Sequence, residues 1–155
     1  MRVIPSLSPA AAQISGDPVP MMPAVNTGVH HPPRILIIED EPFVALMIEE
    51  MIQELGYRVS ATAHTIATAT REFVKRDYDA VLLDINIGGR FHVEFADRLM
   101  AQRVPFAFVT GYDYVLDPRH DSAPVLQKPF LSGDLRMALE KLVGPATSGL
   151  SNAAY

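Results

Sequence analysis

The stretch Ala80-Val81-Leu82-Leu83-Asp84 is apolar at every position until it ends in a carboxylate. A run without polar alternation is typical of a parallel strand that is covered on both faces. A charge at the end of such a strand costs free energy unless pairing or chemistry compensates for it. The run therefore predicts an interior strand of a sheet, with Asp84 as a nucleophile that accepts a phosphoryl group.

Short apolar runs alternate with segments of helical period along residues 34–143. This alternation predicts an α/β fold with a doubly wound, five-stranded parallel sheet, for which the commonest strand order is 2-1-3-4-5. The predicted strands cover residues 35–38, 57–63, 80–83, 106–109 and 125–127. The predicted helices cover residues 42–55, 65–76 and 93–102, followed by a last helix that Ser132 caps and Gly144 stops.

The segment from Tyr112 to Ala123 contains a proline, many polar side chains and little helical period. We therefore expect the helix between the fourth and fifth strands to be weak or irregular. The polar run 113–121 is expected to be a solvated loop. Phe91 and Phe95 are expected to pack against the sheet, and His64 and His92 to be surface or loop residues.

Composition predicts three regions. Residues 1–33 hold seven of the 13 prolines but only two charged side chains, which predicts a disordered, proline-rich N-terminal tail. A signal peptide is a weaker alternative because prolines interrupt its apolar core, and either methionine at positions 21 and 22 could equally be the start. Residues 34–143 are expected to form the domain, and residues 144–155 a flexible C-terminal tail.

The net charge of −5 and the pI near 5.4 argue against a nucleic-acid partner, which would require clustered lysine and arginine. The absence of cysteine excludes disulfides and thiolate metal sites, and it fits a reducing cytoplasm. No stretch approaches the roughly 18 apolar residues of a membrane helix. We therefore expect a cytoplasmic protein without nucleic-acid or membrane partners.

Polar side chains follow four of the five predicted strands. They are Glu39, Asp40, Asp84, Thr110 and Lys128. Because the carboxyl ends of parallel strands lie on one edge, and ligands bind at the switch point between the first and third strands, these groups should converge there. Crowded carboxylates repel one another unless a cation enters.

Magnesium suits this set, because it prefers oxygen ligands and uses one or two carboxylates together with phosphate oxygens. Asp40 and Asp84 are the candidate direct ligands, the backbone carbonyl of Asn86 is a third, and Glu39 would act through water. Lys128 would pair first with Asp84 and then with a phosphoryl oxygen, while the Thr110 hydroxyl could donate to another oxygen.

These motifs resemble the receiver domain of two-component response regulators, which has a flavodoxin-like fold. The resemblance rests on residues 35–41 and 81–86, on Thr110-Gly111 and on Lys128-Pro129-Phe130. It implies that Asp84 takes a phosphoryl group from a histidine kinase or a histidine phosphotransfer protein, with bound Mg²⁺. It also implies the metal and phosphoryl roles given above, a cis peptide before Pro129, and output through an unknown downstream protein.

Residues 105–112, Pro-Phe-Ala-Phe-Val-Thr-Gly-Tyr, further resemble a subgroup of single-domain regulators with a Phe-Ala-Thr-Gly-x-Tyr signature, typically from alphaproteobacteria. Val109 stands in the alanine position of that signature. Most receivers carry an aromatic switch residue three positions before the lysine, where this chain has Val125. Gly111, Tyr112 and Val125 are therefore the switch candidates. Too few residues follow residue 143 for an output domain, which favours the single-domain interpretation.

Three other functions stay open from the sequence. The chain could be a docking module that is never phosphorylated. It could be an aspartate-nucleophile phosphatase, although Asn86 stands where the second carboxylate would be needed. A nucleotide or flavin binder is disfavoured because the turn after the first strand is acidic and lacks glycine. In the favoured interpretation it is not an enzyme, and its chemistry is limited to Mg²⁺-dependent self-phosphorylation and autodephosphorylation at Asp84.

Overall fold

A computed structural model describes residues 31–111 and 117–146. The strands are β1 (Arg34–Ile38), β2 (Arg58–Ala63), β3 (Ala80–Asp84), β4 (Asn86–Ile87), β5 (Arg90–Phe91), β6 (Phe106–Thr110) and β7 (Val125–Gln127). Five of them form one parallel sheet in the order β2-β1-β3-β6-β7, while β4 and β5 form a separate antiparallel hairpin. Counted within the main sheet alone, this is the predicted order 2-1-3-4-5, which is therefore confirmed.

Helices cover both faces of the sheet, as predicted for a doubly wound fold. They are α1 (Pro42–Glu54), α2 (Ile66–Lys75), α3 (Val93–Ala101) and α4 (Ser132–Val143). Alternate residues of β1 point to opposite faces: Ile35 and Ile37 pack with α1 and α4, whereas Leu36 and Ile38 pack with α2 and α3. All four side chains are fully buried. This packing on both faces explains the uninterrupted apolar runs of the interior strands.

Two local predictions need correction. Ser132 is the first residue of α4 rather than its cap, because Leu131 occupies the cap position and its N–H donates to Asp134 Oδ2 at 2.9 Å. Phe91 is not part of the buried core at the main sheet: it is 53% exposed and lies on the separate hairpin. Phe95 is buried on α3, as predicted.

The segment before β7 departs from the predicted solvated loop at one residue. Its described part contains a short 3₁₀ helix, Pro118–His120, and His120 is only 1% exposed. The His120 ring lies edge-to-face on Phe108, and its Nε2 lies 2.8 Å from Asp97 Oδ1 of α3. The partner of this buried ring comes from a distant helix, so the local polar pattern could not reveal that His120 is buried.

Contacts continue past the predicted domain end at residue 143. The Tyr57 hydroxyl donates to the Gly144 carbonyl at 2.9 Å, and Ala146 packs against the core. At the other end, the Pro33 carbonyl accepts from Arg58 N–H at 3.0 Å. The remainder of both predicted tails, residues 1–30 and 147–155, lies outside the described residues. None of the described helices has the length and apolarity needed to cross a bilayer.

Thr65→Ala is expected to lower the free energy of unfolding by about 1 kcal/mol, because it removes the side-chain cap of α2. Thr65 Oγ1 accepts from the Thr68 N–H at 3.1 Å. Urea unfolding of the purified protein measures the loss. Thr65→Ser keeps the hydroxyl and should stay close to the parent, so an equal loss in both variants would contradict the capping role.

Candidate functional site

The carboxyl edge of the main sheet brings three carboxylates together. Glu39 and Asp40 follow β1 directly, and Asp84 is the last residue of β3, the strand that pairs with β1. One carboxylate oxygen from each residue lies within 4.8 Å of the others. The residues that line the adjoining cavity of about 300 Å³ are Asp40, Glu41, Asp84, Asn86, Gly89, Gly111 and Lys128. The convergence that strand topology predicted is therefore present.

Lys128 bridges two of these carboxylates. Its ammonium Nζ donates to Glu39 Oε2 at 2.5 Å and to Asp84 Oδ2 at 2.8 Å. The lysine follows β7, where its own N–H donates to the Thr110 carbonyl at 2.7 Å. The Lys128–Pro129 peptide is cis, as the resemblance implies. The side chain thus crosses from the edge of β7 to reach both acids.

Burial sets the electrostatics of this cluster. Glu39 is 1% exposed, and burial raises its pKa above the ordinary value, while its hydrogen bond from Lys128 opposes the rise. Burial alone lowers the pKa of Lys128, but hydrogen bonds to Asp84 and Glu39 outweigh burial and raise it. Lys128 is therefore charged at neutral pH, and its ammonium contacts two of the three clustered carboxyl groups. Three carboxyl groups with one ammonium among them favour the entry of a further cation.

Backbone N–H groups hold the other oxygens of the cluster. Asn86 N–H donates to Asp84 Oδ1 at 2.8 Å, so each oxygen of Asp84 has a donor. Glu39 Oε1 accepts from Glu41 N–H at 3.1 Å, which leaves Glu39 with donors on both oxygens as well. Gly88 N–H, from the hairpin, donates to Asp40 Oδ2 at 2.8 Å. These bonds fix the orientations of the acids.

The donor set fits a hard divalent cation. Three carboxylates with oxygens within 4.8 Å supply the ligand type that Mg²⁺ prefers. Asn86 lines the same cavity, and its Oδ1 is buried without a hydrogen-bond partner among the described residues. A buried acceptor of this kind is normally satisfied, so a hydrated cation beside it would supply the missing donor.

The remaining predicted site residues do not all lie at the cluster of acids. Thr110 is buried at the end of β6, and Gly111 lines the cavity of the acids. Val125, which is 45% exposed, lines a different cavity of about 220 Å³ against α4. Tyr112 lies outside the described residues.

The sequence missed three backbone contacts beside the acids. His64 Nδ1 lies 2.8 Å from the Glu39 carbonyl, and His92 Nε2 lies 3.1 Å from the Ile87 carbonyl. Because a carbonyl can only accept, each of these ring nitrogens is the donor. The bond from Gly88 to Asp40 is the third. Only that one had a sequence signal, because adjacent glycines predict a two-residue hairpin turn.

The sheet order and the cluster of acids with one lysine define a class of α/β domain with its site at the carboxyl edge of the strands. A family model described as the response regulator receiver domain matches residues 35–140. The chain therefore belongs to the response regulator receiver domain family, and the expected family is confirmed.

Known proteins of this family give the scale of the similarity. The transcriptional regulatory protein PdtaR of Mycobacterium tuberculosis is 29% identical over 126 residues, 78% of this chain and 62% of PdtaR. The solution structure of SdrG from Sphingomonas melonis is 37% identical, with a TM-score of 0.65, and covers 73% of this chain and 98% of SdrG. A BeF3-activated conformation of SdrG, from Pseudomonas melonis, is 39% identical with a TM-score of 0.61, over 70% of this chain and 94% of that one. The chain thus spans less than two thirds of PdtaR.

Proposed function

We propose that this receiver accepts a phosphoryl group on Asp84 from a phosphohistidine of a histidine kinase or phosphotransfer protein, and then signals through protein contacts. The observation that carries the proposal is the burial and hydrogen bonding of Asp84. It is 6% exposed yet lines an open cavity, and its two oxygens accept from Lys128 and from Asn86 N–H. The BeF3-activated conformation of the similar protein SdrG supports the same chemistry.

In the proposed transfer, one carboxylate oxygen of Asp84 attacks the phosphorus of the donor phosphohistidine. The new bond is O–P, the P–N bond breaks, and its electron pair goes to the imidazole nitrogen, which takes up a proton. The product is an acyl phosphate. The nucleophile is the carboxylate of Asp84, whose Oδ2 accepts a hydrogen bond from the ammonium of Lys128 at 2.8 Å.

Two side chains near Asp84 would bind the charged phosphoryl group. Lys128 would exchange its bond to Asp84 for one to a phosphoryl oxygen, and Thr110 would donate its hydroxyl to another. Asp40, Asp84 and the backbone carbonyl of Asn86 would hold Mg²⁺, with Glu39 acting through water. Bound Mg²⁺ would neutralise the charge that builds on the phosphoryl oxygens.

We further propose that the chain belongs to the Phe-Ala-Thr-Gly-x-Tyr subgroup, which the similar motif in residues 105–112 supports. Gly111, Tyr112 and Val125 are the proposed switch residues, and the downstream partner is a protein. The neighbourhoods of Gly111 and Val125 differ, because Gly111 lines the acid cavity and Val125 lines the cavity at α4. A switch through Val125 would therefore act at the α4 face.

The test of function is phosphorylation of the purified protein by a small phosphodonor with Mg²⁺. We expect a mass gain of one phosphoryl unit in the parent, its loss in Asp84→Asn, and its retention in Asp121→Asn, which alters an exposed aspartate. Intact-protein mass spectrometry measures the gain. No gain in the parent would favour the docking module, whereas continuous release of inorganic phosphate over many turnovers would favour the phosphatase.

A further inference from the structure

The hairpin β4–β5 is built around a two-glycine turn beside the acids. Ile87 pairs with Arg90, so Gly88 and Gly89 are the two turn residues, with φ of +62° and +75°. Positive φ at both positions is typical of a type I′ turn. A Cβ added at either glycine would meet no atom within 4 Å. Glycine is therefore favoured at these two positions because it adopts positive φ easily, and not because a side chain would lack space.

The turn directs one backbone donor at a candidate metal ligand. Gly88 N–H donates to Asp40 Oδ2 at 2.8 Å, across 48 positions of sequence. A hydrogen bond from an N–H to a carboxylate is charge-assisted and directional. Because it holds Oδ2, it fixes the rotation of the carboxylate and leaves Oδ1 as the oxygen oriented for another partner.

The base of the hairpin is anchored independently of Asp40. Ile87 is 4% exposed, and its carbonyl accepts from His92 Nε2. Asn86 N–H donates to Asp84 Oδ1. The hairpin thus contacts both proposed direct ligands, one through its base and one through its tip, and Gly89 forms part of the cavity wall.

We propose that Gly88 is a positioning residue of the cation site: its N–H orients the Asp40 carboxylate, so that cation binding and the Gly88–Asp40 hydrogen bond stabilise each other. The inference rests on the proposed metal role of Asp40 and Asp84. Its physical basis is reciprocity, because a hydrogen bond that raises cation affinity must itself be favoured by the bound cation by the same factor.

The direct test replaces residue 88 by glycolic acid, which exchanges the Gly88 N–H for an ester oxygen and keeps the remaining atoms. We expect Mg²⁺ affinity, measured by titration calorimetry, to fall about tenfold, the usual scale for a hydrogen bond to a charged group. Gly88→Asn keeps the N–H and tolerates positive φ, so its affinity should stay within about twofold of the parent. Equal affinity of the ester variant and the parent would overturn the proposal.

A second measurement needs no variant. Mg²⁺ should slow hydrogen exchange of the Gly88 amide in the parent, as followed by NMR, and an unchanged exchange rate would also overturn the proposal. Mg²⁺ binding and phosphorylation are measured separately, so failure of the proposed function can be distinguished from failure of this inference. A parent that binds Mg²⁺ but gains no phosphoryl unit contradicts the proposed function alone, whereas a parent that binds no Mg²⁺ contradicts both.

Discussion

Replacing Lys128 by methionine is expected to lower the free energy of unfolding by about 3 kcal/mol at neutral pH without Mg²⁺, because removing one partner leaves buried charges uncompensated. Glu39 is 1% exposed and Asp84 6%, and both accept from the lysine in the folded protein. Methionine has a similar length and no charge, so packing changes little. Urea unfolding of the parent and of Lys128→Met measures the difference.

The loss in Lys128→Met should depend on pH in a definite direction. Burial raises the folded-state pKa of Glu39, so ionisation of this group opposes folding, and without the lysine the opposition is larger. Acidification through the raised pKa should therefore restore part of the stability, and a rise in pH through it should remove that part again. A difference from the parent that stays constant between neutral and mildly acidic pH would contradict this explanation.

A matched lysine elsewhere provides the control. Lys75 Nζ lies 2.8 Å from Glu72 Oε1, a distance like that of the buried pair, but its side chain is 62% exposed. Exposed pairs contribute at most about 1 kcal/mol, so Lys75→Met should change stability little. Comparable losses in the two variants would show that burial of the acid cluster is not the cause.

Phe108→Ala is expected to cost about 4 kcal/mol of unfolding free energy, because it removes a large side chain from a closely packed core. Phe108 is fully buried on β6, with edge-to-face contacts to Phe106 at 5.2 Å and His120 at 5.7 Å between ring centroids. The cavity left by the missing ring would lie on β6, at a position two residues before Thr110 in the sequence. Calorimetric or urea unfolding measures the loss.

The control for Phe108→Ala is the same substitution at an exposed phenylalanine. Phe43, at the start of α1, is 88% exposed, so Phe43→Ala should stay within about 0.5 kcal/mol of the parent. If both variants lose the same stability, the effect belongs to phenylalanine removal in general and the core role of Phe108 is wrong.

The sequence predicted what depends on local pattern. Continuous apolar runs identified the three interior strands of the main sheet, β1, β3 and β6, because a strand covered on both faces must be apolar throughout. The positions of Glu39, Asp84 and Lys128 just at or after strand ends then predicted one cluster, since parallel strands end at a common edge. Errors arose where a local signal was ambiguous, as at Ser132, which is the first residue of α4 and not the cap that precedes it.

Tertiary structure decided the partners that strand order did not predict. The strand ends predicted that Lys128 meets Asp84, but they did not show that the same ammonium also reaches Glu39, 89 positions away, or that the Gly88 N–H meets Asp40, 48 positions away. His120 was misjudged for the same reason: Asp97 and Phe108 give its ring a buried environment inside a polar run. Residue type and spacing determined which groups reach the site, whereas packing of the layers determined their distances and their burial.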